Sequence, residues 1–103
     1  MDGWVKVAAR DEVKPGAPFI TDVGGTRVAV FDLGGTLYCI EDVCTHDDGP
    51  VAEGPVTENV IECPRHGARF DIRTGAVMGM PAVMPVRTFP VKVDAGVVFV
   101  QVE

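Results

Sequence analysis

The feature that most constrains this chain is a pair of short segments, each of which combines a cysteine with a histidine. The first is Cys44-Thr45-His46, and after sixteen further residues the second is Cys63-Pro64-Arg65-His66. Thiolate and imidazole together suit zinc or the iron of an iron–sulfur centre. If the two segments lie on loops that face each other, they supply four ligands to one site. The fold must then bring these loops together.

The rest of the chain consists of short β-prone runs separated by turn signals. Gly34-Gly35 and Asp94-Ala95-Gly96 each predict a hairpin, because glycine accepts the positive φ that tight turns need. No window has sustained apolar residues at helical spacing, so we expect little helix. The predicted strands are Trp4–Ala9, Ala17–Thr21, Thr26–Asp32, Thr36–Glu41, Asn59–Cys63, Ala68–Ile72, Ala76–Met78, Val86–Val93 and Val97–Val102.

Two segments interrupt this rhythm. Residues Thr45 to Glu58 are polar and rich in proline and glycine, and no strand is predicted there. A loop of this length in a compact domain is usually functional. The proline-marked segment Met80–Pro85 is a candidate cover for the site. The length of 103 residues predicts a single domain spanning 1–103.

Composition and charge narrow the class of partner. The formal charge is −6, from 9 basic and 15 acidic residues, which disfavours nucleic acid and anionic lipid. Such a surface favours a basic protein partner, or it serves solubility alone. The chain shows no leader-like start and no apolar run long enough for a membrane span, so we expect a cytoplasmic monomer. Three cysteines do not make a disulfide framework and point instead to metal binding or catalysis.

Two other interpretations of the Cys–His segments remain open on the residues alone. A structural zinc site uses the same four ligands, although zinc fingers group both cysteines together and both histidines together, whereas here each segment is mixed. A Cys–His nucleophilic pair needs one residue of each type and leaves the second segment unexplained.

The segments CTHDDGPVAEG (Cys44–Gly54) and CPRHGARFD (Cys63–Asp71) resemble the two cluster-binding loops of the Rieske ferredoxin family. The resemblance covers nearly the whole chain, including Leu37–Cys44, the turn from Asp71 to Gly75 and the region of Pro81. It implies an all-β Rieske fold, in which an antiparallel β-sandwich or barrel base carries a small two-loop cluster-binding subdomain. The loops would span about 44–54 and 63–71.

This resemblance implies that Cys44 and Cys63 bind the inner iron of one [2Fe–2S] cluster, and that His46 and His66 bind the outer iron near the surface. It implies no catalytic residue. The expected function is that of a soluble one-electron carrier between a flavoprotein reductase and a terminal oxygenase, through transient docking. The alternatives are a Rieske-like small subunit of a nitrite reductase and a ferredoxin associated with iron–sulfur assembly.

The resemblance also bears on the reduction potential. Respiratory members of the family carry an additional cysteine in each loop, and a Ser and a Tyr that donate hydrogen bonds to cluster sulfurs. Here Ala68 and Phe70 stand in the places of the Ser and the Tyr, and neither side chain can donate. We therefore expect the low end of the Rieske range, roughly −150 mV rather than +300 mV.

Several residues outside the two Cys–His segments also have an expected role. Cys39, Trp4 and Phe89 are predicted core residues, Asp47 and Asp48 candidate docking residues, and Pro81 with Ala82 a candidate shield of the cluster. Four arginines are predicted to hold the loops by pairing with glutamates or to contact a partner: Arg65, Arg69, Arg73 and Arg87, with Glu53, Glu58 or Glu62 as the acidic residues.

Overall fold

The computed structural model describes residues 3–45, 48–65, 67–80 and 84–102. Within these ranges the chain forms eleven β-strands and one short 3-10 helix, Arg10–Glu12. The strands are β1 (Trp4–Ala9), β2 (Phe19–Val23), β3 (Thr26–Leu33), β4 (Thr36–Glu41), β5 (Val56–Thr57), β6 (Val60–Glu62), β7 (Arg69–Asp71), β8 (Val77–Gly79), β9 (Thr88–Phe89), β10 (Val91–Asp94) and β11 (Val97–Gln101).

The central layer is a four-stranded antiparallel sheet in the order β2-β3-β4-β9. β3 and β4 are joined at Gly34-Gly35, where both glycines have positive φ, as predicted. Successive side chains of a strand point to opposite faces. Because β3 is buried at four consecutive positions, both faces of this sheet are covered by other parts of the chain.

A three-stranded antiparallel sheet, β1-β11-β10, covers one face. Its inward valines pack against Val28 and Val30 of β3. We call this the valine-rich core; its buried members are Val13, Val23, Val28, Val30, Cys39, Phe89, Val98 and Val100.

The third sheet, β5-β6-β7-β8, is also antiparallel and contributes to the core on the other face. Ala29 and Phe31 of β3 and Ile40 of β4 point into this second core. We call it the loop-side core; its other buried members are Cys44, Val51, Ala52, Ile61, Cys63, Ala68, Phe70, Ile72 and Val86. Two of the three cysteines of the chain therefore lie in one core and the third lies in the other.

The all-β, antiparallel architecture is confirmed, but two strand predictions were wrong. The predicted strand Val86–Val93 is divided by Pro90, which has no N–H to donate: β9 pairs with β4, and β10 pairs with β11. The strand β5 was missed, because two residues next to a proline show no periodicity. The single-domain assignment for 1–103 stays a prediction.

The three residues predicted to lie in the core differ in burial. Trp4 is half-buried instead of a core residue, and the Lys92 ammonium lies 4.7 Å from the centre of its ring. Phe89 and Cys39 are buried, as predicted. Among the described residues, none of the helical segments has the length and apolar character that crossing a bilayer would require.

Candidate metal centre

The first loop, residues 44–54, begins three residues after the end of β4. Cys44 at its start is fully buried in the loop-side core. β4 ends at Glu41, which pairs with Val28, and within three residues the chain has entered the loop-side core at Cys44.

Asp42 fixes the path of this loop. Its carboxylate is fully buried, and Oδ1 accepts hydrogen bonds from the backbone N–H groups of Val51 (2.9 Å) and Ala52 (2.7 Å). Oδ2 accepts from Arg27 Nε at 2.6 Å, and this contact raises the pKa of the Arg27 guanidinium. The carboxylate therefore joins the beginning of the loop to its return. We did not single out Asp42 from the sequence, because its partners are nine, ten and fifteen residues away.

The second loop, residues 63–71, begins immediately after β6. Cys63 at its start is also buried in the loop-side core. The two loops pack closely at Gly54, where an added methyl group would overlap the carbonyl oxygen of Glu62 and lie 3.1 Å from Pro64 Cδ. Glycine at this position allows the end of the first loop to reach the start of the second.

The two cysteines sit in matching backbone hydrogen-bond patterns, which we call the cysteine turns. In each turn the cysteine N–H donates to the carbonyl five residues later: Cys44 to Gly49 (2.6 Å) and Cys63 to Ala68 (2.7 Å). In each turn the cysteine carbonyl accepts from the N–H four residues later, from Asp48 (2.7 Å) and from Gly67 (3.1 Å). The two residues that donate to the cysteine carbonyls, Asp48 and Gly67, both have positive φ.

The repeated pattern places the two thiols in equivalent local settings, although the Cys–His spacing differs between the segments. The backbone N–H and C=O of each cysteine both form hydrogen bonds within its own turn. Its side chain can therefore be buried without leaving an N–H or C=O of the cysteine unpaired. The two thiols are therefore a matched pair of candidate sulfur ligands in one core.

Two further contacts tie the loops to their surroundings. The Thr45 hydroxyl donates to the carbonyl of Met84 at 2.7 Å, which attaches the first loop to the end of the proline-marked segment. Arg65 Nη1 of the second loop donates to the carbonyl of Pro50 in the first loop at 2.8 Å. These contacts join segments 39 and 15 residues apart in sequence.

The donor set fits an iron–sulfur cluster as far as the structure describes it. All three cysteines are described and none forms a disulfide. Cys44 and Cys63 share one core with the fully buried Ala68 and Phe70, so the sulfurs lie in apolar surroundings, and thiolates are the ligands that hold such clusters. Within the described residues, no group of three or more His, Cys, Asp or Glu side chains converges. His46 and His66 lie outside the described residues, as do Asp47, Pro81 and Ala82.

Cys39 lies apart from this pair. It faces the valine-rich core, in register with Val30 and Phe89. Burial raises the pKa of the Cys39 thiol to about 12, so this thiol stays protonated at neutral pH. A protonated thiol is a poor metal ligand, in agreement with the predicted packing role.

The Rieske [2Fe-2S] domain model matches residues 3–90 of the chain. The chain belongs to the Rieske [2Fe–2S] domain family. Its cofactor is accordingly one Rieske-type [2Fe–2S] cluster.

Relatives within the Rieske family are similar over almost the whole chain. Ferredoxin CarAc of Metapseudomonas resinovorans is 38% identical over 98 residues, which cover 94% of this chain and 92% of that protein. The ferredoxin component of biphenyl 2,3-dioxygenase from Rhodococcus jostii (strain RHA1) is 34% identical over 98 residues, with 95% and 92% coverage. The first of these relatives is named as a ferredoxin and the second as the ferredoxin component of a dioxygenase.

Solved structures agree. The ferredoxin of carbazole 1,9a-dioxygenase from Nocardioides aromaticivorans IC177 superposes with a TM-score of 0.93 at 38% identity, covering 99% of this chain and 100% of that one. A chain in the complex of reduced oxygenase and oxidised ferredoxin in carbazole 1,9a-dioxygenase gives a TM-score of 0.87 at 37% identity, covering 94% and 100%.

For two of the four arginines, the predicted pairing with loop glutamates needs correction. Arg73 binds Asp71, two residues earlier, at 3.2 Å, and Arg87 lies 3.8 Å from Glu41 of β4. Among the residues that the structure describes, the ion pairs of these two arginines are therefore with acidic residues at strand ends and not with Glu53, Glu58 or Glu62. The reason is register: β4 and β9 are neighbours, which sequence spacing does not reveal.

Proposed function

We propose that this Rieske protein is a one-electron carrier that receives electrons from a flavoprotein reductase and delivers them to the terminal oxygenase of a ring-hydroxylating system. We propose further that Cys44, His46, Cys63 and His66 hold its cluster. The observation that carries the proposal is the pair of buried thiols at equivalent positions of two matching turns. The similarity to ferredoxin components over nearly the whole chain supports it.

The four proposed ligands form two pairs with different roles. Cys44 and Cys63 supply the inner, buried pair of ligands, and their apolar neighbours keep water away from the sulfurs. His46 and His66 supply the outer pair, which replaces two thiolates by neutral imidazoles and so raises the potential relative to an all-cysteine site. When bound, the cluster takes up and releases a single electron. The turns hold the ligand backbone in place, so that little reorganisation accompanies that change of charge.

The surface beside the loops suits transient docking on a protein. Gly79 pairs with Arg69 of the second loop. Met80, the next residue after Gly79, is 81% exposed. Met84, whose carbonyl binds Thr45, is 62% exposed. Exposed methionines beside both loops give an adaptable apolar contact. The net charge of −6 favours encounter with a basic partner.

The oligomeric state and the cellular location are also part of the proposal. A carrier that shuttles between two proteins needs short-lived complexes instead of a permanent interface, so we propose that the protein acts as a monomer in the cytoplasm. Among the contacts of the described residues, none favours a nitrite reductase subunit or an assembly ferredoxin.

The test is electron transfer measured anaerobically. The chemically reduced protein is mixed in a stopped-flow instrument with the oxidised terminal oxygenase of a carbazole or biphenyl dioxygenase, and its re-oxidation is followed by absorbance. We expect one electron transferred per chain, with a rate constant that falls as ionic strength rises. The double variant Met80→Gln/Met84→Gln should transfer more slowly at an unchanged potential.

A matched control is Met78→Gln on β8, a third methionine, which is 52% exposed and lies in the groove lined by Thr57 and Val60. It should transfer at the wild-type rate. A protein with a normal cluster that is re-oxidised by no terminal oxygenase, under conditions where an authentic ferredoxin is, would refute the proposed acceptor.

A further inference from the structure

We propose that Arg65 is a positioning residue that ties the second cysteine turn to the first, so that the two pairs of cluster ligands keep a fixed mutual geometry. The inference rests on the proposed ligand set. It adds a component that lies between Cys63 and His66 in sequence but acts on the opposite loop.

The first support is the place where Arg65 attaches. Its Nη1 donates to the Pro50 carbonyl at 2.8 Å. Pro50 directly follows Gly49, whose carbonyl accepts the 2.6 Å bond from Cys44 N–H that closes the first cysteine turn. Arg65 itself lies inside the second turn, which the bond from Cys63 to Ala68 closes. Arg65 therefore joins the two turns beside the bond from Cys44 to Gly49 that closes the first turn. A shift of one turn relative to the other would change the positions of the two cysteines relative to each other.

The second support is the glycine beneath the guanidinium. A methyl group added at Gly49 would lie 2.7 Å from Arg65 Cζ and 2.7 Å from Nη2, so the guanidinium packs directly on the Gly49 backbone. Gly49 is not among the glycines with positive φ. The nearest atoms that a methyl group at this position would meet all belong to the Arg65 side chain, so the effect of Gly49→Ala reports on the guanidinium.

The third support is the chemistry of the side chain. A guanidinium is planar and presents several donors in a fixed arrangement, so it can lie flat on a peptide plane and still donate at its edge. Lysine has one charged centre on a flexible stem and cannot do both. A positioning role therefore predicts that lysine is a poor substitute, whereas a role as a surface charge predicts that lysine is sufficient.

The test uses four holoproteins: wild type, Arg65→Ala, Gly49→Ala and the double variant. The measured quantity is the rate of iron release to a strong ferrous chelator without oxygen. We expect Arg65→Ala to release iron roughly fivefold faster, the effect of losing one net hydrogen bond. Gly49→Ala should also be faster, because its methyl displaces the guanidinium. The double variant should match Arg65→Ala, since nothing remains for the methyl to displace.

Two readouts separate positioning from general loss of stability. The N–H of Cys44 should exchange with solvent faster in Arg65→Ala, and the EPR spectrum of the reduced protein should broaden. The control is Arg69→Ala, an exposed arginine on β7 whose side chain packs on Gly79 within its own sheet; it should leave all three measurements within twofold of wild type. Arg65→Lys should behave like Arg65→Ala.

Iron release from Arg65→Ala at the wild-type rate would overturn this inference alone, as would effects of the two single variants that multiply in the double variant. Rescue by Arg65→Lys would also overturn it, in favour of a simple charge. A wild-type protein without iron and labile sulfide would instead overturn the proposed ligand set and this inference with it.

Discussion

The two faces of the central sheet hold cysteines that are equally buried and chemically unlike. Cys39 lies inside β4 and faces the valine-rich core, whereas Cys44, five residues later, lies beyond the strand end in the loop-side core. Their exposed fractions are 2% and 0%. Burial therefore does not distinguish the structural thiol from the proposed metal ligand here. The difference is that Cys44 has a second cysteine in an equivalent turn beside it.

The two cores also differ in how they are built. The valine-rich core is formed by paired strands whose register is set largely by three glycine-containing hairpins. The loop-side core instead depends on individual polar contacts, such as the Asp42 carboxylate and the Arg65 guanidinium, to fix chain segments that have no strand pairing. We therefore expect substitutions on the valine side to change stability, and substitutions on the loop side to change the cluster as well.

The largest difference should appear when one cysteine on each face of the sheet is separately replaced by alanine. Cys63→Ala removes one of two thiol ligands and should abolish binding of iron and sulfide, seen as loss of visible absorbance and of acid-labile sulfide. Cys39→Ala should leave the spectrum unchanged and cost about 1 kcal/mol of stability through a small cavity. Loss of the cluster in Cys39→Ala, at unchanged fold, would break the distinction between the two cores.

The next largest effect concerns two aspartates that bind arginines. Asp42→Ala leaves the buried N–H groups of Val51 and Ala52 without an acceptor, which should lower the free energy of unfolding by about 2–3 kcal/mol and accelerate iron loss. Asp32, which accepts from Gly35 N–H and Arg10, provides the control. Asp32→Ala should lower stability in urea without accelerating iron loss from the folded protein. Equal iron loss in both variants would remove the special role of Asp42.

A smaller effect should appear in the reduction potential. Phe70 and Ala68 are fully buried in the loop-side core with Cys63 and offer no side-chain donor. Phe70→Tyr or Ala68→Ser introduces a donor, and one net hydrogen bond of about 1 kcal/mol to the reduced cluster should raise the potential by about 40 mV per donor. The starting value should be roughly −150 mV.

The matched substitution on the other face is Phe89→Tyr, in the valine-rich core. It adds the same hydroxyl and should leave the potential unchanged in a redox titration. A wild-type potential well above zero, or an equal rise in Phe89→Tyr, would contradict the link between these buried side chains and the potential.

The smallest effect should be in the dependence of stability on pH. The hydrogen bond from Arg73 lowers the pKa of Asp71 below its ordinary value of 3.8. A carboxyl group with a lowered folded-state pKa stabilises the protein above its unfolded pKa, and this contribution is lost as the pH falls through the folded value. Relative to wild type, Asp71→Asn should therefore be less stable at pH 6, and the difference should shrink below about pH 4.

That difference should stay below about 1 kcal/mol, because Arg73 is half exposed and solvent screens the pair. Denaturant unfolding at several pH values measures it, with Asp94→Asn on β10 as the control for loss of one exposed charge. A difference between wild type and Asp71→Asn that grows as the pH falls would show the wrong sign.

Much of this architecture was predictable from local pattern. Alternating strands with paired glycines predicted β1, β3 and β4, and the mixed Cys–His segments predicted loops that must face each other. What local pattern could not supply is register. Asp42 binds backbone groups nine and ten residues later, and Arg87 reaches Glu41 only because β9 lies beside β4. Such contacts exist only once the sheets have formed.

Pro90 shows the same limit within one strand. The residues on its two sides are equally β-prone, and only the missing N–H indicates that β9 and β10 belong to different sheets. The four predicted ligands divide similarly. The structure describes Cys44 and Cys63 and brings both into one core, whereas the histidine ligands rest on the motif and remain part of the proposal.

Metal and sulfide analysis of the purified protein, combined with EPR of its reduced form, shows whether the chain holds a Rieske-type cluster. We expect two iron atoms and two acid-labile sulfides per chain, with a reduced signal whose average g value lies well below that of the free electron. A colourless protein with one zinc ion per chain and no labile sulfide would contradict this expectation.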